Sequence, residues 1–96
     1  MSVRFEWDAH KAALNLSKHE VSFDEATTVF DDPFARVFDD PDHSLEGQRE
    51  IIVGHSIKGG LLLVCFVERT EDVIRIVSGR SLTTAERKGY EETNNS

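Results

Sequence analysis

Hydrophobic periodicity in the first half of the chain predicts a short strand, two helices and a second short strand. The segment VRFEW (3–7) suits a strand, and Asp8 is a good N-cap for a helix over Ala9–His19. The pattern SFDE predicts that Ser22 caps a second helix, which runs to about Phe30. Two copies of FDDP then bracket the strand FARVF (34–38).

The second half of the chain predicts three consecutive strands and a last helix. The strands are REIIVGHS (49–56), LLLVCFVER (61–69) and VIRIVSGR (73–80), and TTAE forms a capping box that begins a helix at Thr83. The middle strand is almost entirely apolar, which predicts a central strand covered on both faces. The order β-α-α-β-β-β-β-α predicts an α+β fold in which helices pack on a mostly antiparallel sheet.

The turn between the last two strands has two possible lengths, with different chemical consequences. A three-residue loop, Thr70–Asp72, is favoured because a two-residue Glu71–Asp72 turn lacks the usual Gly or Asn. The longer loop places Arg69 and Arg75 on one sheet face. The shorter loop would instead place Glu68 opposite Arg75, where the two side chains could form a cross-strand salt bridge.

Length and charge limit the possible functions. Ninety-six residues predict a single domain, 1–96, ordered over about 3–92. The net charge is −7, with twelve acidic and five basic residues before position 51 and six of each after it. An acidic protein repels nucleic acid, so any activity on RNA requires a local basic patch in the second half. A single cysteine and the absence of a long apolar segment predict a cytoplasmic protein with no membrane partner.

A string of short motifs resembles the BrnT family of bacterial toxins over about Val3 to Glu92. The matching elements are FEWD, Lys11, Asn15, KH, VSF, DDP, IRIVSGR, Glu86–Arg87 and Tyr90, in that order. The resemblance implies a RelE-like α+β fold and a ribonuclease that arrests translation. It also implies neutralisation by a partner antitoxin, BrnA, which binds DNA, so that contact with DNA is indirect.

Cleavage of RNA without a metal requires a base, an acid and cations that stabilise the phosphorane. Arginine suits the cationic role because its planar fork matches phosphate oxygens. The resemblance points to Arg75 and Arg80, and to Glu68 and Arg69 at the end of the preceding strand. Candidates for acid or base are Glu68, Glu86, His55 and Tyr90, of which Glu86 and Tyr90 also have simple structural roles. Arg87 and Lys88 on the last helix are candidate RNA-binding residues.

Two hypotheses of different class therefore remain open. In the first, the chain is a metal-independent endoribonuclease without a cofactor, and its arginines converge on one exposed surface. In the second, it is a weak or inactive binding module that docks the antitoxin and modulates operon repression. Arginines that point apart, or that are each neutralised by a neighbouring carboxylate, would exclude the first hypothesis and leave only the second. The acidic loop DDPDHSLE lacks the glycine and the ligand spacing of a calcium site, so no metal site is expected.

Overall fold

The computed structural model describes residues 3–40 and 49–94, and confirms the predicted α+β class and order of elements. A single 3-10 turn, Val29–Asp31, extends the second helix. The elements are β1 (Arg4–Glu6), α1 (Ala9–His19), α2 (Phe23–Thr28), β2 (Arg36–Asp39), β3 (Arg49–His55), β4 (Leu61–Thr70), β5 (Val73–Ser81) and α3 (Thr84–Asn94). None of these helices is long and apolar enough to cross a membrane.

The five strands form one sheet in the order β1-β5-β4-β3-β2. Strands β2 to β5 pair antiparallel, whereas β1 lies parallel to β5 at the opposite edge from β2. Strand β4 is therefore the central strand, as its apolar sequence predicts.

The first two predicted helix starts are confirmed by their capping hydrogen bonds. The Asp8 carboxylate accepts from the backbone N–H groups of His10 and Lys11 at 2.7 and 3.2 Å. The Ser22 hydroxyl accepts from the N–H of Glu25 at 3.0 Å. The Glu25 side chain does not return this bond; it accepts from the Ser56 hydroxyl at 2.7 Å and so ties α2 to the turn after β3.

One face of the sheet, which we call the core face, carries the main hydrophobic core. It presents Leu62, Val64 and Phe66 from β4 and Ile76 from β5, all of them buried. Helices α1 and α2 cover this face, and Phe23 of α2 belongs to the same buried cluster.

The opposite face of β4 is only partly covered, so the prediction of burial on both faces is wrong. Leu63, Cys65 and Val67 alternate with the buried residues and stay partly exposed. Helix α3 is the helix that lies over this face, and its link to the cluster there is Tyr90. A mostly polar helix with one large apolar residue covers one end of the strand and leaves the rest open to solvent.

The preferred length of the β4–β5 turn is also wrong, although its consequence for the arginines is right. Thr70 pairs with Val73, so the loop is the two-residue Glu71–Asp72 turn. The next pair is Glu68 with Ile74, which leaves Arg69 as an extra residue in β4, a β-bulge. The bulge shifts the register by one residue, so Val67, and not Glu68, stands opposite Arg75.

Asn15 joins the first helix to the part of the β5 edge that does not pair with β1. Its amide nitrogen donates to the carbonyl oxygens of Val21 and Gly79 at 2.9 and 2.8 Å. Its side-chain oxygen accepts from the N–H of Gly79 at 3.1 Å. The carboxamide therefore replaces a strand neighbour at Gly79, beyond the point where β1 ends.

Candidate nucleic-acid interface and cationic cleft

The arginines of the described strands share one face of the sheet. Strand pairing and the two-residue alternation place them all opposite to the core face, on the side of Leu63 and Val67. We call this side the arginine face; its strand arginines are Arg4, Arg36, Arg49, Arg69, Arg75 and Arg80. A chain with a net charge of −7 thus carries a basic surface.

The acidic residues of the strands are distributed in the opposite way. Asp39, Glu50 and Glu68 lie on the core face, whereas Glu6 lies on the arginine face. Burial raises the pKa of Glu50, and repulsion from Glu68 and Asp39 adds to the shift. Glu68, a predicted catalytic residue, is therefore on the other side of the sheet from Arg69 and Arg75.

Three cations line a cleft beside β5, which we call the cationic cleft. Lys11 of α1, Arg69 of β4 and Arg75 of β5 form its polar lining, with Val67 and Val77 as apolar neighbours. The prediction that Arg69 and Arg75 share a face is thus confirmed. Lys11 joins them from a helix, which strand alternation alone could not indicate.

A carboxylate that the sequence reasoning missed links the two arginines. One oxygen of Glu6, Oε2, is 3.1 Å from Nη1 of Arg75 and 3.8 Å from Nη1 of Arg69. Glu6 belongs to the motif FEWD, but only the parallel pairing of β1 with β5 places it beside Arg75. Because two guanidinium groups share one carboxylate and Lys11 lines the same cleft, the cationic cleft keeps a net positive charge.

Arg80 has a different environment from Arg75. Its guanidinium donates two hydrogen bonds to the Glu86 carboxylate, at 2.8 and 3.0 Å. These bonds, together with the N–H of Thr83, lower the pKa of Glu86 to about 2. Thr83 and Glu86 also form the complete predicted capping box of α3. Arg80 therefore fixes the start of α3 and does not join the cationic cleft.

Three more of the predicted residues belong to α3. Tyr90 is buried, and its hydroxyl donates to the carbonyl oxygen of Phe34 at 3.1 Å. Arg87 and Lys88 are exposed on the helix, and Arg87 approaches Glu91 at 4.0 Å. Tyr90 thus anchors α3 to the segment before β2, whereas Arg87 and Lys88 remain accessible to a ligand.

His55 stands at the end of β3 beside Asp32. Its Nδ1 atom is 3.7 Å from the Asp32 carboxylate, and its ring packs edge-on to Tyr90 at 6.4 Å. Burial opposes ionisation of Asp32, but hydrogen bonds from the N–H groups of His55 and Phe34 outweigh it and lower the pKa. Asp32, the second Asp of the DDP motif, therefore has a structural role: it connects the 3-10 turn to the end of β3.

Within residues 3–40 and 49–94, no group of three or more His, Cys, Asp or Glu side chains is arranged to hold a metal ion. Most of the acidic loop DDPDHSLE lies outside the described residues.

Comparison with known proteins identifies the family. The chain matches the family model described as "Ribonuclease toxin, BrnT, of type II toxin-antitoxin system" over residues 7–86. The chain belongs to this BrnT family. The matched region includes Arg69, Arg75, Arg80 and Glu86.

A solved structure of a BrnT protein has the same fold. The crystal structure of the Brucella abortus ribonuclease toxin BrnT superposes with a TM-score of 0.67 at 20% sequence identity. The alignment covers 86% of this chain and 100% of the Brucella chain. No curated protein matches the chain.

Proposed function

We propose that this chain is an endoribonuclease toxin whose cationic cleft holds the scissile phosphate of RNA. The observation that carries the proposal is that Lys11, Arg69 and Arg75 line one cleft. Both arginines of this cleft contact the same carboxylate, that of Glu6. Family membership supports the reaction class, since the BrnT family is one of ribonuclease toxins.

The ion pairs of the three predicted arginines determine how available each guanidinium group is to an RNA phosphate. Each of Arg69, Arg75 and Arg80 contacts a carboxylate, an arrangement that by itself favours a binding role. The contacts of Arg69 and Arg75 are partly exposed, and such pairs contribute less than about 1 kcal/mol. An RNA phosphate can therefore compete for both guanidinium groups, while Glu6 offsets only one of the three charges in the cleft.

The roles of the predicted residues follow from these environments. Arg75 and Arg69 stabilise the charge that develops on the phosphorane, which requires no metal ion. Arg80 holds the Glu86 carboxylate and supports α3, and Tyr90 anchors the same helix. Arg87 and Lys88 supply further contacts with the RNA backbone from α3.

The biological setting that we propose follows the family. A type II toxin has an antitoxin partner, and for this chain we propose a BrnA-type antitoxin that also binds DNA. RNA cleavage in the cytoplasm would then inhibit translation when the antitoxin is absent.

The bidentate Arg80–Glu86 pair favours a second candidate function. If RNA binding required Arg80 as well as Arg75, this pair would withhold a cation from the substrate. The chain would then act as a catalytically weak module that docks the antitoxin and modulates operon repression.

Incubation of the purified chain with total RNA tests both candidates. We expect cleavage that persists in EDTA and falls by about 10- to 100-fold in Arg75→Ala and Arg69→Ala. Lys58→Ala, which removes one exposed positive charge from the β3–β4 turn, is the matched control and should cleave normally. Absence of cleavage by the wild type, with retained antitoxin binding, would establish the second candidate.

A further inference from the structure

We propose that Glu6 is the general base of RNA cleavage, an assignment that rests on the ribonuclease function proposed above. A base must reach the ribose 2′-hydroxyl while the adjacent phosphate contacts the arginines. Glu6 lies at the end of β1, directly paired with Arg75 in the parallel ladder. Its carboxylate is thus next to the proposed phosphate site.

The contacts of Glu6 leave it available for this role. Both ion pairs run through Oε2, and within the described residues no hydrogen bond to Oε1 is found. The side chain is 41% exposed, so a substrate hydroxyl can approach it.

Three other acid–base groups on this side of the sheet, among the residues that the structure describes, are occupied or buried. Glu86 accepts two hydrogen bonds from Arg80 and one from Thr83. Asp40, which pairs with Arg49, is only 5% exposed. The Tyr90 hydroxyl is bonded to a backbone carbonyl under α3. Glu6 is therefore the accessible carboxylate in contact with the cationic cleft.

The proposed step is an internal transesterification that needs no co-reactant except water. Glu6 takes the proton of the 2′-hydroxyl as the 2′-oxygen forms a bond to phosphorus. The bond between phosphorus and the 5′-oxygen breaks, and that oxygen takes a proton from the solvent. Glu6 then returns its proton to the solvent, so the products are a 2′,3′-cyclic phosphate and a 5′-hydroxyl.

Glu6 could instead act only by orienting the arginines. Measurement of RNA affinity distinguishes this positioning role from the role of general base. Removal of one negative charge from the cleft should leave binding of a cleavage-resistant 2′-deoxy analogue unchanged or make it tighter. Removal of a base should instead lower the rate of cleavage. A residue that only oriented the arginines would affect affinity and cleavage together.

The experiment measures single-turnover cleavage and analogue binding for the wild type, Glu6→Gln and Glu6→Asp. We expect Glu6→Gln to lose about 100-fold or more in cleavage rate with undiminished analogue affinity. The wild-type rate should fall at acid pH, and this acid limb should be absent from the residual activity of Glu6→Gln. Glu6→Asp retains a carboxylate and should keep the limb. Glu20→Gln removes a negative charge from the end of α1 and serves as the control.

Two results would overturn the assignment while leaving the ribonuclease function intact. One is a Glu6→Gln protein that cleaves RNA at the wild-type rate or faster. The other is a parallel loss of cleavage and analogue affinity, which would make Glu6 a positioning residue. A wild-type chain that does not cleave RNA would instead reject the ribonuclease function itself, and the assignment with it.

Discussion

Arg75 and Arg80 lie on the same face of the sheet although they are five positions apart on β5. An odd separation places two side chains on opposite faces of a regular strand. Here Ile76 pairs with Phe66 and Ser78 pairs with Cys65, so Val77 is an extra residue on β5. This β-bulge turns the second half of the strand over and brings Arg80 to the arginine face.

The Arg80–Glu86 pair should stabilise the fold in a pH-dependent manner. We expect Arg80→Ala to lower the free energy of unfolding by about 1–2 kcal/mol at pH 7, allowing for the partial exposure of both groups. The folded-state pKa of Glu86, about 2, is below its ordinary value of 4.5. The stabilisation is therefore complete above pH 4.5 and lost as the pH falls towards 2.

Urea unfolding at several pH values measures this effect. The difference between the wild type and Arg80→Ala should shrink between about pH 5 and pH 2. Arg87→Ala removes a looser, exposed pair and should change stability by less than about 0.5 kcal/mol. A difference that stayed constant down to pH 2 would contradict the assigned role.

The buried carboxamide of Asn15 should be sensitive to chemical change as well as to truncation. Asn15→Ala leaves the polar groups of Gly79 and the carbonyl of Val21 without their partner, which should cost about 2–4 kcal/mol. Asn15→Asp should be at least as damaging because a carboxylate cannot donate to the two carbonyl oxygens. Ser17→Ala, on an exposed position of α1, is the control for chemical denaturation. An Asn15→Asp protein of wild-type stability would exclude this explanation.

Glu20 ends α1 in a left-handed backbone conformation with a φ of 59°. This conformation is unfavourable for residues that carry a Cβ atom and favourable for glycine. We expect Glu20→Gly to raise the free energy of unfolding by about 0.5–1 kcal/mol. Glu20→Ala keeps the Cβ atom and should bring no comparable gain in thermal unfolding. Equal stability of the two variants would mean that backbone strain at this position is negligible.

Gly54 in β3 lies where no larger residue fits. A Cβ atom there would be 2.8 Å from Cβ of Ala35 and 2.9 Å from the Asp32 carboxylate. Gly54→Ala should therefore destabilise the fold by about 2–3 kcal/mol, through displacement of the Asp32 tie. Gly60→Ala is the matched control, because among the described residues its Cβ atom would meet only Leu62, at 3.9 Å. Similar melting temperatures for the two variants would show that the Asp32 segment moves aside easily.

Local signals in the sequence were sufficient to predict the elements and their order. Asp8, Ser22 and Thr83 are capping residues that act within three positions of the helix starts, so the sequence alone places those starts correctly. The apolar run of β4 likewise predicts its central place in the sheet. The exposure of Leu63 and Val67 was not predictable, because it depends on how little of the sheet α3 covers.

The candidate site could be predicted only in part. Its arginines stand out in the sequence because their type suits phosphate, and Arg69 and Arg75 do meet. Glu6 and Lys11 did not stand out, since each joins the cleft through a tertiary contact with strands more than fifty residues away. Glu68 was predicted to belong to the site. The bulge at Arg69 sets the register of β4 so that Glu68 pairs with Ile74 and not with Arg75.

The sequence by itself determined the class of fold, the capped helices and the presence of arginines in the C-terminal strands. These features depend on capping patterns and periodicity, which act over a few residues. Only the tertiary structure decided which charges meet, because each extra residue in a strand reverses the face of every side chain beyond it. Two such bulges, at Arg69 and Val77, collect the arginines on one side of the sheet and leave most of the strand carboxylates on the other.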